Sequence, residues 1–190
     1  MEKIIVAITG ASGSVLGIRL LEELKKANIQ TVLVMSHAAR DVLKQETEYK
    51  PANIIRLANE HFEEEDLFAP VASGSYAVHI KAMCIIPCSM KTLSAVANGY
   101  SDNLITRAAD VCLKEKRKLV IVPRETPFSS IHLGNMLTLS GMGVVIMPPV
   151  PAFYTGAATV NDVVDQFIGR VLDQLGVPSD IPKRWGEKNS

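Results

Sequence analysis

The stretch Ile4-Ile5-Val6-Ala7-Ile8-Thr9, continued by Gly10-Ala11-Ser12-Gly13 and then by Val15 to Ala27, decides how this 190-residue chain is read. A short apolar run without polar alternation is a strand covered on both faces. The glycine-rich turn ends it, and Leu16, Leu20, Leu21 and Leu24 then fall on one stripe of a helix. A strand, a tight turn and an amphipathic helix open a βαβ unit. The same alternation continues outward. Further strands are predicted at Thr31 to Ser36, Ala82 to Pro87, Leu119 to Pro123 and Val144 to Met147. Helices are predicted at His37 to Glu48, Met90 to Asn98, Asn103 to Arg117 and Ser130 to Ser140, with a last one from Val160 to Leu175 that stops at Gly176 and Pro178. Buried strands separated by helices give an α/β fold, here one doubly wound, Rossmann- or flavodoxin-like domain over residues 1–190 with a mainly parallel sheet. Tyr49 to Ser75, with its acidic run Glu63-Glu64-Glu65-Asp66, is expected to be a solvated connection.

Composition excludes several classes of function. Twenty Lys and Arg balance twenty Asp and Glu, and neither end carries a basic arm, so no nucleic-acid surface is expected. Any anion must be met by locally gathered charge. The longest apolar stretch, Val144 to Tyr154, is interrupted by Pro148, Pro149 and Pro151 and is shorter than the roughly 18 residues of a membrane span. Met1-Glu2-Lys3 offers no basic region ahead of a signal sequence, and a cytoplasmic location is expected. Cys84, Cys88 and Cys112 form no CxxC pair, and His37, His61, His79 and His132 share no metal-ligand spacing, so neither a disulfide framework nor a metal is expected. There is no GxSxG elbow for a hydrolase nucleophile.

In an open α/β sheet, ligands bind beyond the carboxyl ends of the strands. Five segments occupy such places: Gly10 to Gly13, Ser36-His37, Pro87-Cys88-Ser89-Met90-Lys91-Thr92, Pro123-Arg124-Glu125-Thr126, and Pro148 to Tyr154. The first can present backbone amides to an anion, although a tight turn between strand and helix requires glycine in any case. Ser89 suits a helix N-cap whose hydroxyl and neighbouring amides also receive a phosphate. Arg124 and Glu125 stand where a turn residue would serve, which points to ligand contact. Lys114, Lys116, Arg117 and Lys118 close a helix and complement its dipole; Arg107 and Arg170 lie in mid-helix as ordinary surface cations.

Taken together, Thr9 to Gly13, Met35-Ser36, Pro87 to Ser94, Asp102 to Asp110, Pro123 to Pro127, Pro149 to Tyr154 and the ending Arg184-Trp185-Gly186-Glu187 resemble the UbiX-type flavin prenyltransferases, within the superfamily of homo-oligomeric flavin-containing cysteine decarboxylases. The resemblance covers essentially the whole chain, and its specificity lies in the order and spacing of the pieces. It implies an enzyme that joins a dimethylallyl group from dimethylallyl monophosphate to reduced FMN without a metal. N5 attacks the allylic C1 as phosphate leaves, and C6 closes a fourth ring on C3. The prenylated FMN then serves a UbiD-type decarboxylase, in ubiquinone synthesis or another aromatic-acid pathway. Position by position, the resemblance implies that Gly10, Ala11, Ser12, Ser36, Ser89, Met90, Lys91, Thr92 and Arg124 hold FMN. Tyr154 and Arg170 bind the donor phosphate with Lys114, Glu125 and Arg107. Glu125 moves a proton to the leaving phosphate, Ser12 and Glu46 act close to the flavin, and Trp185 helps to close the prenyl pocket. Family sites are shared between subunits, usually of a dodecamer. At Leu67 related enzymes can carry an aromatic residue, so this wall of the pocket differs.

Two other functions fit the same fold. A flavin-dependent cysteine decarboxylase would carry a PASANT-like segment where Pro87 to Thr92 stands, a catalytic His well before it, and a PxMNxxMW segment; the first is replaced, the third is missing, and His79 lies too close to Pro87. A non-catalytic FMN carrier would have no use for the second anion site implied by Lys114, Glu125, Tyr154 and Arg170.

Overall fold

The computed structural model describes residues 2–186. Six strands form one parallel sheet: β1 (Lys3–Ile8), β2 (Gln30–Met35), β3 (Glu60–Glu63), β4 (Ile80–Cys88), β5 (Lys118–Pro123) and β6 (Val145–Ile146). Their spatial order is β3-β2-β1-β4-β5-β6 and every pairing is parallel. Winding runs outward in both directions from β1 and β4, so the order reverses between those two strands.

Helices cover both faces, and the strand period of two assigns each residue to one of them. Ile4, Val6 and Ile8 point into a core built with Leu20, Leu21 and Leu24 of α1 (Ser14–Lys26) and with Phe167, Ile168 and Leu172 of a long C-terminal helix, Val160–Leu175. Ile5 and Ala7 point the other way, toward Leu93 of Met90–Ala97 and Leu104, Ala108 and Cys112 of Leu104–Lys114. Each fully buried Ile or Leu contributes about 1.5–3 kcal/mol, which fixes the register of the central strands.

The segment expected to be a loop holds structure. A short helix, Pro51–Ile55, precedes the edge strand β3, and two 3-10 turns, Pro70–Ala72 and Gly74–His79, lead into β4. The acidic run is only partly a solvated connection. Glu63 pairs with Arg40 and Glu65 with His37, while Glu64 accepts from the His37 amide and, at 3.3 Å, from Asn103 Nδ2. The Glu64 carboxylate thus caps the helix that starts at His37, and its backbone carbonyl accepts from the Leu104 amide at 2.7 Å at the start of the helix Leu104–Lys114. In that way the edge strand is tied to the helices on either side of it.

Numbered in chain order, the helices are α1, α2 (His37–Glu46), α3 (Pro51–Ile55), α4 (Met90–Ala97), α5 (Leu104–Lys114), α6 (Ser130–Gly141) and α7 (Val160–Leu175). Helix α6 departs from the amphipathic pattern. Leu139 is its one buried residue among those described, whereas Ile131, Leu133 and Leu137 are 71%, 53% and 75% exposed. A helix that is apolar on its outer face has its partner elsewhere.

Candidate functional site

The carboxyl ends of β1 and β4 meet where the winding reverses, and Thr9 joins them. Its hydroxyl donates to the Pro87 carbonyl at 2.8 Å and accepts from the Ser89 amide at 2.8 Å, while its own amide donates to the same carbonyl at 3.2 Å. Thr9 is buried, so these bonds are closed to water. The sequence assigned no role to Thr9; the available signal was a hydroxyl in the first position after a wholly buried strand.

Around this seam lie the predicted flavin residues. Gly10 follows directly, and a Cβ there would stand 2.4 Å from that of Ala38, so only glycine lets the turn pass the start of α2. Ser36 caps α2, accepting from the Ala39 amide at 3.1 Å, and Ser89 caps α4, accepting from the Thr92 amide at 3.3 Å. Lys91 is exposed on the first turn of α4. The Arg124 amide donates to the Cys88 carbonyl at 3.1 Å, which places Arg124 and Glu125 on the same rim with both side chains exposed. Serine hydroxyls, two helix N-termini and two cations are a donor set that suits a phosphorylated flavin.

Glu46 alters one expectation. Its carboxylate accepts from the Gly13 amide at 2.9 Å and the Ser14 amide at 2.9 Å, so the first amides of α1 hold an internal anion. Partial burial works to raise the Glu46 carboxyl, but hydrogen bonds from the Ser12 hydroxyl and from these two amides outweigh it and hold the group below the ordinary glutamate value. An FMN phosphate would therefore rely on Gly10 to Ser12 and on the α2 and α4 ends rather than on the start of α1.

The residues expected to hold the donor phosphate are not brought together within the chain. Lys114 ends α5 just before β5 and is paired with Glu115, whereas Glu125 follows β5 at its other end. Six strand residues separate the two ends by roughly 20 Å. Arg107 lies two helical turns before Lys114, its Nε donating to the Ala72 carbonyl at 3.0 Å and its Nη1 to Asp110 at 2.7 Å. A third group gathers at the C-terminal side. Tyr154 meets Trp185 edge to face with centroids 5.2 Å apart, and Arg170 pairs with Asp173 at 2.7 Å. Glu187, the last residue of the matching ending, lies outside the described residues.

A flavoprotein family model matches residues 1–172. The flavin prenyltransferase UbiX of Methanocaldococcus jannaschii is 52% identical over 184 residues, covering 97% of this chain and 98% of that protein. A solved structure of AnUbiX (PadA1) in complex with FMN and dimethylallyl pyrophosphate superposes with a TM-score of 0.96 at 47% identity, covering 99% of both chains. A dodecameric FMN-dependent UbiX-like decarboxylase from Escherichia coli O157:H7 gives 0.94 at 48% identity, covering 97% of this chain and all of that one. A peptidyl-cysteine decarboxylase, by contrast, shares the fold alone, with a TM-score of 0.64 at 18% identity.

Proposed function

We propose, for a chain that belongs to the UbiX-type flavin prenyltransferases of the flavoprotein family, that residues 1–190 act as one domain joining a dimethylallyl group from dimethylallyl monophosphate to N5 and C6 of reduced FMN. The observation that carries this reading is the pairing of an anion-ready rim at the β1/β4 reversal with a separate group of one cation, Arg170, and two aromatic side chains, Tyr154 and Trp185. A carrier of FMN needs only the first of these.

When bound, reduced FMN supplies the nucleophilic N5 and C6. Gly10, Ala11, Ser12, Ser36, Ser89 to Thr92 and Arg124 hold it by the phosphate and the ring edge. Arg170, Tyr154, Lys114 and Arg107 hold the donor phosphate and stabilise the charge that grows on it as the allylic bond breaks. Glu125 passes a proton to the departing phosphate. Ser12 and Glu46 form a hydroxyl–carboxylate pair next to the flavin, in which the carboxylate orients the hydroxyl. Trp185, edge-on to Tyr154, helps to close the prenyl pocket.

Lys114 and Glu125 act in one site only if two chains contribute them, so the working form is a homo-oligomer, a dodecamer by analogy with the E. coli relative. The outer face of α6 supplies apolar surface for that contact. Among the described residues no helix is long and apolar enough to cross a membrane. The enzyme acts in the cytoplasm and hands its product to a UbiD-type decarboxylase. The test is anaerobic incubation with reduced FMN and dimethylallyl monophosphate, followed by mass spectrometry of the flavin. A gain of one C5H8 unit is expected; an unchanged flavin refutes the assignment.

A further inference from the structure

Beneath the Tyr154 group lies a clasp that no predicted role accounts for. Gln166 of α7 is 6% exposed and uses both ends of its amide on one residue of the C-terminal segment: Oε1 accepts from the Lys183 amide at 2.8 Å, and Nε2 donates to the Lys183 carbonyl at 3.0 Å. A buried amide satisfied in this two-point way fixes the backbone it holds in both position and direction. The Lys183 ammonium donates in turn to the Thr155 carbonyl at 2.8 Å, one residue after Tyr154. One helical turn beyond Gln166, a Cβ on Gly169 would come within 2.4 Å of Pro182, so the segment lies directly on the helix backbone.

The clasp sets two things at the donor group. Trp185, two residues past Lys183, stands edge-on to Tyr154. Arg184 makes a forked pair with Asp173, at 2.9 and 3.0 Å, and the same carboxylate binds Arg170 at 2.7 Å. Asp173 thus holds both guanidinium groups, so the placing of Arg170 is tied to where the segment carries Arg184.

We infer that Gln166 and Gly169 are positioning residues for the donor half of the site, docking residues 182–185 so that Trp185 orients Tyr154 and Arg184 shares the Asp173 charge with Arg170. This rests on Tyr154 and Arg170 being ligands of the donor phosphate. Neither Gln166 nor Gly169 touches substrate; both act through the segment they hold.

The experiment uses the FMN-loaded oligomer with Gln166→Leu and Gly169→Ala. The latter keeps Gln166 and favours the helix while pushing Pro182 away, so it decides the matter if Gln166→Leu fails to fold. Because Trp185 is the chain's single tryptophan, its fluorescence anisotropy reports the segment directly. Lower anisotropy is expected, together with about a tenfold rise in KM for dimethylallyl monophosphate, kcat changed less than about threefold and FMN affinity unchanged. A loosened Trp185 with an unchanged KM overturns the proposal. So does a raised KM with Trp185 still held, because the effect would then bypass the segment. Tyr154→Phe and Arg170→Ala run alongside: if they leave KM unaltered, the donor-ligand assignment is what fails, whereas if they alone raise it, the clasp is what fails.

Discussion

The flavin-side rim and the donor-side residues are built in opposite ways. The rim is closed within one chain: Thr9, Pro87 and Ser89 interlock, Glu46 neutralises the start of α1, and two serines cap the helices that flank the seam. The donor residues sit in separate places, on the face of α5, on the turn after β5 and around the C-terminal clasp. On the proposed assignment, a single chain carries a preorganised place for FMN and only fragments of a place for the prenyl donor, and donor binding is a property of the assembly.

The most severe way to break this contrast is to spoil the outer face of α6. Leu137→Glu places a charge where an apolar contact between chains is required, and should split the oligomer and reduce prenyl transfer more than about a hundredfold. Light scattering and the mass assay read the two effects together; a variant that dissociates yet keeps its rate would show the donor site to be complete in one chain. A subtler test mixes two inactive proteins. Lys114→Ala and Glu125→Gln each damage the site alone, but in mixed oligomers about a quarter of sites inherit both intact residues if different chains supply them. Recovery of about a quarter of the wild-type rate is expected, whereas a single-chain site recovers nothing.

Smaller effects test the rim. Glu46→Gln removes the carboxylate that satisfies the Gly13 and Ser14 amides, and should cost about 1 kcal/mol, because the group is exposed and water replaces part of the loss. The Glu46 carboxyl is held low in the folded chain, so its contribution is present above the ordinary glutamate value and is lost as pH falls through the folded one; the melting difference between variant and parent should vanish on acidification. The smallest effect is at the sheet edge. Burial holds the His61 imidazole below its usual value and Arg40 adds to this, with Glu63 opposing. The unfolded chain then binds more protons than the folded one as pH drops below about 6.5, so stability declines there, and His61→Gln should flatten that part of the melting profile by less than about 1 kcal/mol.

Much of the fold was legible because β1, β2, β4 and β5 are buried on both faces and leave unbroken apolar runs. β3 was not, since Glu60-His61-Phe62-Glu63 is an edge strand whose polar residues imitate a loop, and Arg40, which pairs with Glu63, lies more than twenty residues earlier. The rim was legible for a related reason: residues just after buried strands must lie at the sheet's carboxyl edge. What no local pattern carries is direction across the sheet. Lys114 and Glu125 are eleven positions apart, and only the intervening strand shows that they stand at opposite edges. The clasp escaped notice because a glutamine in a helix gives no sign that it will be buried against a tail seventeen residues on.

The Thr9 seam has a bearing on how the molecule is made. Its bonds close loops of 78 and 80 residues, so the first turn of the chain cannot take its final form until the fourth strand has been synthesised and docked. Local pairing of β1 with β2 comes at far lower entropic cost. During synthesis, then, half of the sheet can stand for some time beside a turn that is still plastic, and the rim is finished only when the two halves of the winding are sewn together. A chain interrupted before Ser89 would lack the amide that the Thr9 hydroxyl accepts from, and the seam could not close.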